Sequence, residues 1–392
     1  MQLKGFTVGI PREIMPGENR VAATPETVSK MIQAGAKVLI ESGAGKNSFI
    51  DDEDFLECGA VVVEAPTKVF ENSDIVLKVK EPAFNEEIGK HEIDLMQEKC
   101  YLICFLHPAN PSNHDLVKKL ADKKITSFTL DSIPRISRAQ QMDALTSMST
   151  AAGYKAAILA AYHLSRFIPM MPTASGVIQP ANFLIVGAGV VGLQAIGMSK
   201  RLGAKTKAID IREEANEQAK SLGAEAIQFD VPQELAVGEG GYARRLPDEW
   251  YEKERDLLAP YIKESDAVIL SALIPGEVSP LIIKKDVIDE MKKGSVIVDI
   301  AVDQGGNCEL TKPGEEFDYN GIVISGLKNL PTKLAIDATY MFSQNIWQFL
   351  SYLTSKGEID TNVDDELVKE PLVTMNGDIV HRGTLQAMRD SE

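Results

Sequence analysis

The chain is poor in the residues that build metal or disulfide scaffolds: it has four cysteines and five histidines in 392 residues. Cys58, Cys100, Cys104 and Cys308 fit neither the spacing of zinc ligands nor a disulfide framework. Cys100 and Cys104 share one face of the predicted strand CYLICFL and read as buried thiols of a reducing cytoplasm. The histidines show no ligand spacing either, so no metal is expected. Positive charge is also scarce. With 41 Lys and Arg against 57 Asp and Glu, the net charge is −16, which argues against nucleic acid or an anionic membrane surface as partner. Long hydrophobic runs are missing: the most apolar stretches, around 153–171 and 183–199, are too short or too mixed to span a bilayer. MQLKGFTVGIPRE runs straight into a strand with no signal-peptide pattern. No direct membrane insertion is expected.

The remaining composition, 44% apolar and 25% charged, is that of a globular protein, and the length suits two domains. Short apolar strands alternate with helical patterns throughout. FTVGI precedes the helix TPETVSKMIQAG, with Thr24 as N-cap and Pro25 at its first position, and KVLIES, IVLKVK, CYLICFL and ITSFTL follow. A helical pattern, about Gln140 to Phe167, leads into a second strand–helix series, and another, about Lys333 to Thr354, closes it. The pattern predicts an α/β protein with two Rossmann-like parallel-sheet domains separated by a cleft, the second inserted into the first. The expected division is 1–139 with 330–392 for the discontinuous domain and 140–329 for the inserted one.

The inserted unit opens with FLIVGAGVVG, a strand running into Gly187, Gly189, Val190, Val191 and Gly192 and then a helix. Gly187 allows the tight turn, Gly189 lets backbone approach a pyrophosphate, and Gly192 lets helix and strand pack closely. The helix N-terminus offers free N–H groups and a positive dipole end. The next strand, KTKAIDI, carries Asp210, 18 residues after Gly192, where a carboxylate can accept from both ribose hydroxyls and repel a 2′-phosphate. The cofactor expected is therefore NAD(H) rather than NADP(H).

In open α/β sheets, ligands bind beyond the carboxyl ends of strands. Four polar residues are expected at such ends: Arg20 after FTVGI, Lys80 closing IVLKVK, His107 closing CYLICFL and Asp303 closing SVIVDIAV. Together they would suit an oxo-acid: a guanidinium for the carboxylate, an ammonium for the carbonyl oxygen, an imidazole to move a proton. Each also has a plainer reading, as a solvated strand end or a hydrogen-bonded histidine. In PRISRAQQMDALTS, Arg135, Gln140 and Asp143 occur where the chain passes between domains, and on the residues alone a helix entry with Ser137 as N-cap and charges on a solvated face is the preferred account. The loop AVGEGGYARRLPDEW, glycine-rich around Tyr242, reads as a mobile flap.

PRISRAQQMDALTS, GAGVVGLQA, GGYA, SALIPG, VDIAVDQGGNCELT and VTMNGDIVHRG together resemble the NAD(H)-binding first domain of proton-translocating NAD(P) transhydrogenase, across essentially the whole chain. The resemblance implies that Arg135, Gln140 and Asp143 contact the nicotinamide and that the Tyr242 loop closes over bound nucleotide. It implies hydride exchange with NADP(H) held on a partner chain, membrane-spanning partner chains, a homodimer, and a cytoplasmic place, peripheral at the inner face of the membrane. The chain is also similar to alanine dehydrogenase of the same superfamily, through GENRVA with Arg20, LKVKEP with Lys80, FLHPA with His107 and IAVDQGG with Asp303. Those match its substrate-binding and proton-transfer positions. A free-standing dehydrogenase of alanine or a similar small amino acid is therefore the alternative activity, and a non-catalytic NAD sensor is the third.

Overall fold

The computed structural model describes residues 2–238, 241, 243–274 and 278–390. Tyr242 lies outside the described residues. The chain divides into two compact units, one of residues 1–148 and 334–392, the other of residues 149–333.

Apart from two short two-stranded ribbons, Phe84–Asn85 with Lys90–His91 and Met171–Thr173 with Gly176–Ile178, the strands of the first part of the chain are β1 (Thr7–Ile10), β2 (Lys37–Glu41), β3 (Val61–Val63), β4 (Ile75–Leu77), β5 (Tyr101–Cys104) and β6 (Thr126–Thr129). Those of the middle are β7 (Asn182–Val186), β8 (Lys205–Ile209), β9 (Glu225–Ala226), β10 (Ala267–Leu270), β11 (Val296–Asp299), β12 (Glu316–Tyr319) and β13 (Ile322–Ser325). Near the C-terminus come β14 (Leu372–Met375) and β15 (Asp378–Ile379).

In the first unit the sheet order is β15-β14-β6-β5-β4-β1-β2-β3, with every pairing parallel except those of β14, which runs antiparallel to β6 and β15. In the second unit the order is β9-β8-β7-β10-β11-β13-β12, with only β12 antiparallel. Both are doubly wound: the order reverses between β1 and β4 in one and between β7 and β10 in the other, and such switch points are where ligands bind. Two parallel-sheet α/β units, as the alternation of strand and helix predicts, are what the chain forms.

Local sequence explains the helices that matter. Thr24 caps Pro25–Gln33 through a capping box, as its sequence predicts. The expected helix from Gln140 instead starts as a 3₁₀ turn, Ser137–Met142, whose N-cap Ile136 gives no side-chain bond. The α-helix proper is Ala144–His163, and Asp143 caps it by accepting from the Thr146 N–H at 2.8 Å and hydroxyl at 2.6 Å. Alanines 152, 156, 157 and 160 are buried along this helix and Gly153 lies against the fingerprint helix, where an added Cβ would come within 2.1 Å of the Val191 carbonyl oxygen. Small residues permit that approach. The end of the stretch read as a flap, AVGEGGYARRLPDEW, already belongs to a helix, Asp248–Glu264, whose buried face is Tyr251, Glu254, Leu258 and Ile262. Its high charge hides that stripe from a composition reading.

Candidate functional site

In the second unit, β7 delivers the glycine turn. Gly187 has φ +88°, and a Cβ there would meet the Ser271 carbonyl oxygen at 2.7 Å. At Gly192 a Cβ would fall 1.9 Å from the Gly187 carbonyl oxygen. Both positions require glycine to close the turn. Gly189 differs: as N-cap of Val190–Arg201 it makes no side-chain cap bond, and a Cβ would approach only the Arg212 guanidinium, at 3.8 Å. The space over Gly189 is open, faced by a helix N-terminus and a cation. That is a fitting seat for a pyrophosphate.

The turn is braced from behind. The Ser271 hydroxyl donates to the Gly187 carbonyl at 2.9 Å. Fully buried Asn307 accepts from the Ala272 N–H at 3.0 Å and donates to the Ala272 and Pro280 carbonyls. Asp299 in turn accepts from the N–H groups of Ala301, Asn307 and Cys308. Burial outweighs these bonds and raises its carboxyl above the usual range.

Asp210 immediately follows β8, is buried, and accepts from the Ala188 N–H at 2.8 Å, tying it to the glycine turn. Its carboxylate is also engaged by Arg212, through the backbone N–H, Nε and a terminal nitrogen at 2.8–2.9 Å. Arg212 reaches the Gly241 carbonyl as well, at 3.2 Å. The sequence reading overlooked this cation, although it stands two residues after the acid. Asp303 is not where it was expected. β11 ends at Asp299, and Asp303 lies four residues on in the 3₁₀ turn Ile300–Gln304, 56% exposed, with Lys328 4.0 Å away. The Asp299 carboxylate gathers N–H groups and turns the chain out of the strand there.

In the first unit, β4 and β5 end earlier than their apolar runs suggest, so Lys80 and His107 each lie three residues beyond the strand. His107 has φ +44°, stacks on Phe105 at 5.8 Å between ring centroids, and its Nδ1 lies 2.7 Å from an Asp131 oxygen. Burial opposes an imidazolium, but the Asp131 charge and hydrogen bond outweigh it and raise the His107 pKa, while Lys80, close enough to be felt, works the other way. Asp131 is held charged despite burial, chiefly by His107. Neither the aspartate nor its role was singled out from the sequence, though it follows β6 as His107 follows β5.

Arg20 is buried, and its Nε and one terminal nitrogen engage Glu18 at 2.7 and 2.6 Å. Lys78, which shares the alternating face of IVLKVK with Lys80, is fully buried between Glu13 at 3.3 Å and Glu92 at 3.2 Å. Glu13 also accepts from the Val79 N–H at 2.6 Å and so fixes the approach to Lys80. Two carboxylates and one ammonium in a dry site leave an excess negative charge. Burial, with Glu92 adding to it, pushes Glu13 up to about 7 against the pull of Lys78.

Arg135 and Gln140 are exposed on the segment after β6, and Asp143 terminates it as the helix cap. Arg138 pins the segment to the C-terminal region through Asp365 at 3.0 Å and Glu366 at 3.1 Å. The Asn345 side chain holds the Gln141 carbonyl at 2.9 Å. Among the described residues, no group of acids, histidines and cysteines could hold a metal ion, and no helix is long and apolar enough to cross a membrane.

Comparison with known proteins agrees with this construction. Residues 9–152 match the family described as alanine dehydrogenase/PNT, N-terminal domain, and residues 156–382 match alanine dehydrogenase/PNT, C-terminal domain. An NAD(P) transhydrogenase alpha-subunit chain of Rhodospirillum rubrum is 40% identical over 380 residues, covering 95% of this chain and 97% of that one. The crystal structure of transhydrogenase from Sinorhizobium meliloti superposes with a TM-score of 0.82 at 36% identity, covering 95% of this chain and all of that one. An L-alanine dehydrogenase structure follows at a TM-score of 0.80 and 26% identity, covering 98% of this chain and all of that one. The chain belongs to the alanine dehydrogenase/PNT family of oxidoreductases, grouped with the NAD(P) transhydrogenase alpha subunits.

Proposed function

We propose that the chain is the NAD(H)-binding subunit of an NAD(P) transhydrogenase, passing hydride between NAD(H) and NADP(H) bound on a partner chain. The observation that carries this reading is the glycine turn. Gly187 and Gly192 are closed by sterics, whereas the face of Gly189 is open beneath a helix N-terminus and beside Arg212. Val190 and Val191 supply N–H donors of the first helical turn, and Asp210 would accept from ribose hydroxyls in exchange for part of its hold on Arg212. Bound there, NAD(H) would supply the hydride. The rest of the chain's role is positioning: Arg135, Gln140 and Asp143 hold the nicotinamide ring, and Tyr242 excludes water. Relatives named as alpha subunits imply that further subunits exist; in this reading those chains bind NADP(H) and span the membrane, and this chain is a homodimer at its cytoplasmic face.

The pairing of His107 with Asp131, with Lys80 nearby, favours a second reading as an amino-acid dehydrogenase in which Arg20 and Asp303 also face substrate. One experiment separates the two. Mixed with an NADP(H)-binding transhydrogenase subunit, the protein should transfer hydride from NADH to an NADP⁺ analogue. His107→Ala should leave that rate nearly intact, and Arg135→Ala should slow it. Pyruvate reduction with ammonia by the protein alone, abolished by His107→Ala, would select the dehydrogenase, because losing a general acid–base costs about 10²- to 10⁴-fold.

A further inference from the structure

Asp210 does not by itself supply the negative charge that rejects a 2′-phosphate. Arg212 covers it with two charge-assisted side-chain hydrogen bonds, at 2.9 and 2.8 Å, so the pair is close to neutral. A guanidinium beside a ribose is moreover a good phosphate partner. Selectivity for NAD(H) therefore needs another charge.

The helix Asp248–Glu264 provides one. It packs on β7, the strand that ends at the glycine turn. Its stripe of Tyr251, Leu258 and Ile262 shares a core cluster with Val186 and Ile209, the last residues of β7 and β8, next to Gly187 and Asp210. Glu254 occupies the stripe position between Tyr251 and Leu258, where helical spacing calls for an apolar residue, and is 4% exposed. Among the described residues its carboxyl has no hydrogen-bond or ion-pair partner. The charges it feels are Asp210, from the end of β8, and Arg255, on its own helix.

We propose that Glu254 is a specificity-determining residue of the dinucleotide site, supplying the net negative charge at its adenosine end and making preference for NAD(H) over NADP(H) grow as the carboxyl ionises. The inference rests on the reading of this unit as a dinucleotide site. Burial and the neighbouring Asp210 push Glu254 up to about 7, against Arg255, so the charge switches within the neutral range. Below that range Glu254 is neutral and the Asp210–Arg212 pair decides alone. Above it, a 2′-phosphate meets an uncompensated carboxylate, whereas ribose hydroxyls do not.

The test is the ratio of NADPH to NADH dissociation constants, read from nucleotide fluorescence on the full chain between pH 6 and 8.5. The ratio should rise about five- to tenfold with pH in the parent, the scale of about one pKa unit of interaction. Glu254→Gln should remove most of that rise and tighten NADPH binding at pH 8, while Glu254→Asp should keep the rise. The ribose phosphate's own ionisation contributes equally to parent and variants and cancels in their difference. NADH binding with a ratio that rises equally in parent and Glu254→Gln would overturn the role of Glu254, as would a parent ratio flat with pH, which needs no variant to observe. Failure of the parent to bind either nucleotide would remove the dinucleotide reading itself, and this inference with it.

Discussion

Substitution of the three fingerprint glycines by alanine separates folding from binding. At Gly189 the backbone is ordinary, with φ −73° and ψ −168°, and the new methyl meets only the movable Arg212 guanidinium at 3.8 Å. The folding cost is that of exchanging glycine for alanine at an N-cap, about 0.5–1 kcal/mol. For a unit of this size that lowers Tm by roughly 2–4 °C. The same methyl, however, would stand in the proposed seat of the pyrophosphate and keep it from the helix N–H donors. Losing one charge-assisted bond of about 1.5–3 kcal/mol predicts a roughly ten- to 150-fold weaker NADH Kd. Gly192→Ala behaves oppositely: with 1.9 Å to the Gly187 carbonyl oxygen the methyl has no room, so helix and strand must separate and the fold is lost or weakened by several kcal/mol. Circular-dichroism melting and NADH fluorescence titration measure the two effects on the same samples. A folded Gly189→Ala protein that binds NADH within threefold of the parent would refute the placement of the pyrophosphate over Gly189.

Asp143→Ala should lower stability by about 1 kcal/mol in urea denaturation by removing the cap on Thr146, and Asp143→Asn should recover most of it, because either side chain caps. If Asn restores stability but not hydride transfer, the carboxylate does more than cap. Stability should also fall as pH rises from about 4.5 to about 7, because Glu13 and Glu254 hold their protons to about 7 in the folded chain whereas the unfolded chain releases them near 4.5. The folded state binds more protons in that window, so each group withdraws up to about 3 kcal/mol across it and nothing further above it. Glu254→Gln should therefore be more stable than the parent at pH 8 and similar to it near pH 4.5; an equal difference at both pH values would contradict a raised carboxyl.

The fingerprint was legible because its logic is local: glycines, helix and acid lie within one strand–helix–strand unit and their spacing fixes their geometry. The doubly wound sheets were legible for the same reason. What escaped the sequence is pairing across distance. Lys78 looks like a solvated strand end until Glu13 and Glu92, both remote in sequence, close around it. Arg20 is a short-range case: it looks available until Glu18, only two residues before it, takes two of its nitrogens. Apolar runs also overstate strand length, since β5 and β11 stop where Asp131 and Asp299 capture N–H groups of the following residues. Arg212 escaped for a different reason, as it was next to Asp210 all along. A motif read as a list of required positions says nothing about the residue that occupies the acid before a ligand comes.

The His107–Asp131 pair is the strongest support for dehydrogenase chemistry, and its weight depends on what else Asp131 does. That carboxylate accepts from the N–H groups of Leu106 and His107 at 3.1 and 2.7 Å and from the Thr129 hydroxyl, besides meeting the imidazole. It is the anchor of a turn in which His107 has a left-handed backbone, so the geometry follows from structural need without any proton transfer. Arg20 weighs more heavily. An amino or oxo acid held there must compete with Glu18 for a guanidinium in a pair at 2.6 Å whose two side chains are 2% and 0% exposed. Removing one partner from such a buried pair costs about 3–5 kcal/mol, roughly what a substrate carboxylate would return. Hydride exchange between two nicotinamide rings asks nothing of either pair, and this balance is why the transhydrogenase reading is preferred. Glu18→Gln provides the check: it removes the charge that Glu18 sets against the guanidinium, and if the variant then gains alanine- or pyruvate-dependent turnover that the parent lacks, Glu18 is what holds the dehydrogenase activity shut. Turnover already present in the parent and lost in the variant would mean that the pair serves substrate, and the argument from Arg20 would fail.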